Sequence, residues 1–280
     1  MKRSIILLLV SLFVFNSCGE FNKVTKYGDP EYKYEAAKAS FARGKYQQAY
    51  DLLNSVVISF KGSSYGEECL YLMAMSAYLG KDYDLASSAF KKYYQNYTRG
   101  TYVEESRYYS GLALYEMIPD PRLDQTSTYQ AIAELQSFLD YYPYTRLKDQ
   151  THEMLQRLQD HLIEKEQLAA QLYYDLGNYI GNSTSGGSNY EACIVTSENA
   201  LRDFPYASAE RREKFMILIL RSRYHLARQS VEEKRLERFR QTVDEYYGFI
   251  NEFPESVYLK EAKGYLNKSQ KALAGKPIED

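Results

Sequence analysis

The sequence has 280 residues, with 35 Lys and Arg against 37 Asp and Glu and a formal net charge of −2 at pH 7. That balance excludes the basic footprint by which proteins hold nucleic acid, and the net charge argues against electrostatic docking on anionic lipid. Its 30 Tyr, 12 Phe and only 7 Pro, with no Trp, supply a large core and few breaks in the chain.

In chain order, Met1-Lys2-Arg3 is a positive start, Ile5 to Phe15 is almost wholly apolar, and Asn16-Ser17-Cys18 follows. The apolar run is too short to span a bilayer as a helix, which takes roughly 20 residues. With its basic start it has the form of a secretory signal. Phe15-Asn16-Ser17-Cys18 loosely resembles the lipobox of bacterial lipoproteins, in which the cysteine after the cut takes a diacylglycerol on its thiol. The expectation is a signal peptide over 1–17, lipidation at Cys18 and a linker over 18–30; the alternative is ordinary cleavage beside a bystander cysteine. Losing Lys2 and Arg3 with the signal takes the charge from −2 to −4. Cys69 and Cys193 occupy small-residue positions of distant helical segments, so buried free thiols are expected rather than a disulfide.

Beyond residue 30 the apolar residues fall at helical spacing and β-branched runs are almost absent, which predicts an all-α body. Short phrases recur where helices should end: Ser59-Phe60-Lys61-Gly62, Asn96-Tyr97-Thr98, Tyr142-Pro143-Tyr144-Thr145, Phe204-Pro205-Tyr206 and Phe253-Pro254-Glu255-Ser256. An aromatic packs the last turn, proline cannot continue the helix, and Ser or Thr caps the next one. A second phrase precedes them: Gly44-Lys45-Tyr46 with Ala49, Gly80-Lys81-Asp82-Tyr83 with Ala86, Tyr129 with Ala131, and Tyr190 with Cys193. Glycine ends the first helix of each pair, and the small residue lets the second cross it closely. Leu53, Phe90, Leu135 and Ser197 then take the core-facing site four residues on. Ala37, Ala74 and Gly111 complete the crossings from the other side.

This is the tetratricopeptide pattern, whose unit is about 34 residues. It predicts a right-handed superhelical solenoid of about five tetratricopeptide repeats with a C-terminal capping helix. Units one to three are expected over 31–146, units four and five plus the cap over 147–274, and a disordered tail over 275–280. An apolar inner helix begins at Phe215, its partner runs from Lys234 to Phe253, and the cap from Val257 to Leu273. Leu147 to Ile180 keeps a long helical pattern. Two insertions interrupt the period, Pro119–Ser127 with ordering prolines and caps, and the flexible Gly/Ser-rich segment 181–188.

Nothing in the sequence converges on a reaction. His152, His161 and His225 are not spaced as ligands on one helix face, and no phosphate loop or paired-cysteine metal motif occurs. Neither a metal nor a cofactor is expected. The acidic pairs Glu67-Glu68, Glu104-Glu105 and Glu232-Glu233 are expected on solvated faces. Tyrosines beyond those of the core suit a concave surface for an extended or helical peptide.

The lipoprotein signal, the repeats and the phrase Glu116-Met117-Ile118-Pro119-Asp120-Pro121-Arg122-Leu123-Asp124-Gln125-Thr126 together resemble the BamD family of outer-membrane assembly lipoproteins. Leu201-Arg202-Asp203-Phe204-Pro205 adds to the likeness, which covers about 30 to 275. The resemblance implies a non-catalytic scaffold of the β-barrel assembly (BAM) complex. Its partners would be the periplasmic domains of a BamA-like barrel protein, held by the C-terminal repeats, other BAM subunits, and unfolded outer-membrane protein substrates, received by the N-terminal repeats. It would be lipid-anchored in the outer membrane with its body in the periplasm. Arg202 and Asp203 are the implied partner-binding residues; the alternative is that Arg202 pairs with Asp203 or another carboxylate of its own chain. Two other functions remain open on the residues: a Tol-Pal type coordinator of cell-envelope processes, and a glycan-binding lipoprotein resembling SusD.

Overall fold

The computed structural model describes residues 24–26, 28–177, 179 and 188–278. Cys18 and residues 181–187 of the Gly/Ser-rich insertion lie outside the described residues. The regular elements among those described are helices: α1 (Pro30–Ala42), α2 (Tyr46–Val56), α3 (Gly66–Leu79), α4 (Tyr83–Asn96), α5 (Val103–Glu116), α6 (Thr126–Tyr141), α7 (Lys148–Leu176), α8 (Asn189–Asp203), α9 (Ala209–Arg228), α10 (Glu232–Glu252) and α11 (Leu259–Leu273). The body is all-α, as its periodicity predicts.

Two compact units divide the chain. One holds the described residues up to Pro119 and Gln125–Gln156; the other holds Asp120–Asp124 and those from Arg157 onward. Within the first, α1 to α6 pack each upon the next. Within the second, α8 to α11 do the same and α9 also touches α11.

The small-residue register holds in both units. Ala49, Ala86, Ala131 and Cys193 are each fully buried, as are Leu53, Phe90, Leu135 and Ser197 four residues on. Three further on, Val56, Tyr93, Phe138 and Ala200 are buried as well. In the first unit α5 crosses α6 closely, and a Cβ on Gly111 would lie 2.6 Å from Leu135 Cδ2. The cores are the α1–α4 aromatic and leucine cluster of the first unit, and in the second the run Phe215–Leu220, buried on all sides of α9.

The helix ends are built alike. Tyr97, Tyr142, Phe204 and Phe253 close α4, α6, α8 and α10 with φ between −120° and −128° and ψ between 65° and 69°. Each donates its N–H to the carbonyl four residues back at 2.8–2.9 Å. Their own carbonyls accept from Gly100, Thr145, Ala207 and Ser256, at 2.9, 3.1, 3.0 and 3.3 Å. Tyr97 precedes a threonine rather than a proline, so the aromatic residue is enough to set the stop.

The structure corrects several sequence boundaries. The glycine expected to end α3 is only half of that turn: Gly80 keeps a right-handed φ of −75°, and Lys81 takes the positive φ of 63°. Helix α9 starts at Ala209, six residues before Phe215, because Ser208 Oγ accepts the N–H of Arg211 at 3.3 Å. The cap α11 starts at Leu259, leaving Val257 exposed in the preceding turn. Residues 276–278 follow a left-handed Gly275, with the N–H of Lys276 on the carbonyl of Lys271 at 2.9 Å, and Ile278 packs against the cluster of Tyr224, Ala227, Phe239 and Ala272. The Pro119–Ser127 insertion is ordered through an Asp120 Oδ1 that accepts the N–H of Arg122 at 2.9 Å.

Candidate interaction surfaces

In the second unit, Arg202 and Asp203 end α8. Leu201 and Phe204 both pack against one core cluster, Leu201 against a second as well, and the two residues between them are exposed. Arg202 Nε lies 3.0 Å from Asp203 Oδ1, with the side chains 69% and 56% exposed. An ion pair so exposed contributes at most about 1 kcal/mol. Two residues after the stop, Tyr206 is 97% exposed on the Phe204–Ala207 turn. A guanidinium, a carboxylate and a phenol thus lie exposed within five consecutive residues at the end of α8. Such a corner can make polar and aromatic contacts to another molecule.

Tyrosine forms ladders between α3 and α5 of the first unit. Tyr71 on α3 stacks on Tyr102 with ring centroids 4.1 Å apart, and Tyr78 meets Tyr109 of α5 at 5.0 Å. Tyr71 donates its hydroxyl to Glu105 Oε2 at 2.9 Å, across a separation of one repeat. Arg107 lies between two rings, its guanidinium carbon 4.2 Å from the centroid of Tyr94 and 3.7 Å from that of Tyr141.

Of the acidic pairs expected on solvated faces, Glu68 and Glu105 are exposed, whereas Glu67 and Glu104 are half-buried, and Glu67, Glu104 and Glu105 accept bonds from other segments. Glu67 Oε1 accepts the Tyr93 hydroxyl at 2.6 Å and also the N–H of Thr101. The Tyr93 oxygen in turn accepts the N–H of Tyr102 at 3.1 Å. The Tyr93 hydroxyl holds the Glu67 carboxyl below its ordinary value, against a smaller opposing effect of burial. Glu104 accepts from the Thr145 hydroxyl at 2.7 Å and Glu105 from Tyr71. Both pairs lie in first helical turns, where the backbone dipole favours a carboxylate.

The second unit has its own polar seam. Arg221 on α9 grips Glu261 of α11 with two bonds of 2.7 Å, beneath the ring of Tyr258. Arg223 bridges Glu198 and Glu245. Burial pushes the Glu245 carboxyl above its ordinary value, and the Arg223 charge works against that shift. His225 stacks on Tyr190 at 5.1 Å, and burial first, then Arg228 and Lys268, hold its imidazole below its ordinary value. Among the described residues no group of three or more His, Cys, Asp and Glu is arranged to hold a metal ion, and no helix is long and apolar enough to cross a membrane.

A family model described as "YfiO: Outer membrane lipoprotein" matches residues 27–184, more than half of the chain. The chain belongs to this YfiO (BamD) family. One relative is the "Outer membrane protein assembly factor BamD" of Caulobacter vibrioides, 23% identical over 173 residues, which are 61% of this chain and 57% of the relative. Another is the "Putative outer membrane protein assembly factor BamD" of Aquifex aeolicus, 24% identical over 270 residues, 96% of this chain and 82% of the relative. The chain thus spans little more than half the length of the first relative and about four fifths of the second.

The YfiO match takes in the Pro119–Ser127 insertion and stops before the Arg202 corner. Sequence reasoning singled out Arg202 and Asp203, and their exposed pairing in α8 is the alternative it left open. It missed the fully exposed Tyr206 beside them, although the repeated Pro-Tyr of Pro143-Tyr144 and Pro205-Tyr206 was a signal, since Tyr144 is equally exposed. It also missed the Arg221–Glu261 fork, whose partners are 40 residues apart, about one repeat.

Proposed function

We propose that this YfiO-family chain is a non-catalytic scaffold of the machinery that assembles β-barrel proteins in the outer membrane. Family membership and the names of both relatives support an assembly role. In this reading Cys18 carries the lipid anchor, the body faces the periplasm, and the helix pairs form a right-handed superhelix of about five tetratricopeptide repeats capped by α11. The N-terminal repeats receive unfolded barrel substrates. The C-terminal repeats hold the periplasmic domains of a BamA-like barrel protein and further BAM subunits.

The observation that carries the reading is the corner formed by Arg202, Asp203 and Tyr206. Arg and Tyr are over-represented among the residues that dominate protein interfaces, and here neither is used by the core. A partner carboxylate would exchange a water-exposed ion pair for a desolvated one. The test is binding of purified Arg202→Ala and Arg202→Glu to the periplasmic part of the barrel partner, with helicity checked by circular dichroism. Truncation of an interface arginine costs about 2 kcal/mol, roughly thirty-fold in Kd. A well-folded Arg202→Ala that binds like wild type removes Arg202 from the interface. Loss of binding in the charge reversal alone moves it to the rim.

A further inference from the structure

The terminal helix carries one sign of charge on its solvent side. Ala262, Leu266, Ser269 and Ala272 are the buried residues of α11. At 3.6 residues per turn, Lys260, Lys263 and Lys271 fall on the opposite side, with no acidic residue among them, and Lys268 lies at its border, one turn before the buried Ala272. Lys260, Lys263 and Lys271 are exposed and Lys268 is half-buried. The helix has one carboxylate, Glu261, and both its oxygens are taken by Arg221. Arginines of the same unit are neutralised, Arg211 by Glu164, Arg212 by Glu252 and Arg223 by Glu198 and Glu245. Among the described residues none of the four lysines has an ion-pair partner.

This local excess runs against the net charge of −2 for the chain. Its chemistry selects between two anionic bodies. Protein interfaces are depleted of lysine and built on aromatic or arginine anchors, and this face offers neither. A bilayer surface asks only for hydrated point charges close to its headgroups, which lysine supplies without shape complementarity. The chain belongs to a family of outer membrane lipoproteins, so a lipid surface lies within its surroundings.

We infer that the lysine face of α11 rests on anionic phospholipid headgroups. The inference rests on the membrane-anchored reading above, and its test separates the two. Asn267 is exposed within the face, so Asn267→Cys can carry a fluorescent donor; Cys69 and Cys193 are buried and stay unlabelled. The full chain is reconstituted on phosphatidylcholine vesicles, with or without about a third phosphatidylglycerol, bearing an acceptor on their headgroups. The expected result is flotation with both vesicles, and energy transfer that rises several-fold with phosphatidylglycerol and collapses in about 0.5 M salt, which shortens the screening length. Changing all four lysines to glutamine should abolish the rise. Flotation with equal transfer on both vesicles overturns the inference, and so does a rise that survives in the glutamine variant. Flotation only with phosphatidylglycerol, dependent on the lysines, overturns the anchor and leaves the lysine face standing; no flotation on either overturns both. A glutamine variant that loses the barrel partner while wild-type transfer ignores phosphatidylglycerol assigns the face to an acidic protein.

Discussion

Lys81 occupies the left-handed turn position that Gly44 occupies one repeat earlier. Gly44 has φ 72° and Lys81 has φ 63°. Both turns close with the same long bond, Lys45 N–H to the carbonyl of Ser40 and Asp82 N–H to that of Ala77, each 2.9 Å. A side chain in this conformation costs roughly 1–2 kcal/mol, while glycine loses roughly 0.5–1 kcal/mol of chain entropy. Lys81→Gly should therefore stabilise the protein by about 0.5–1 kcal/mol, seen as a higher midpoint in urea with an unchanged slope. A lower midpoint would mean that the lysine has a compensating role.

The helix crossings admit no added volume. Ala86 is fully buried, and a Cβ on Gly111 would approach Leu135 Cδ2 to 2.6 Å and Cγ to 2.9 Å. Ala86→Leu should cost about 1–3 kcal/mol by overpacking, and Gly111→Ala should destabilise because Leu135 must shift. Thermal denaturation decides both; an unchanged Tm for Ala86→Leu would misplace the repeat register.

Glu67 ties stability to pH. Its carboxyl is held below the ordinary value of 4.5 in the folded state. The folded protein therefore binds this proton less readily than the unfolded chain, and the stabilisation is present above pH 4.5 and lost as pH falls below it. Tyr93→Phe removes the bond that is the largest cause of the shift. The variant should be less stable at pH 7 and lose less on acidification than wild type, in urea titrations from pH 6 to pH 3. Parallel curves for the two proteins would place the acid sensitivity elsewhere.

Cys18→Ala should release the chain from membranes, and labelled palmitate should enter the wild type only. Palmitate in the variant overturns the assignment. Soluble variant without palmitate, beside a wild type that carries it, is the expected pair.

Much of the fold is legible because the repeat fixes residue volume at fixed positions. Ala49, Ala86, Ala131 and Cys193 share a register, and their burial follows from it. Helix starts are less legible where charge hides them: Glu210-Arg211-Arg212-Glu213-Lys214 resembles a solvated linker, yet Ser208 caps it and its arginines reach Glu164 and Glu252. Gly80 misdirects for another reason, since two residues in sequence can serve one turn and only the backbone shows which inverts. The surfaces are least legible. Nothing in the sequence pairs Glu67 with Tyr93 or Glu105 with Tyr71, which come from other segments, and an averaged charge conceals the lysine face of α11.

The matching stops at Tyr97, Tyr142, Phe204 and Phe253 have a kinetic consequence. Each is closed by bonds to residues four back and three ahead, so a helix end can be completed by the few residues around it. Chains built from short-range closures have low contact order and fold fast. The backbone of each corner can close in this way as the chain is made, while its aromatic ring waits for the next helix: Phe204 packs in a cluster with Phe215 and Leu218 of α9, and Phe253 in one with Ala262 and Leu266 of α11.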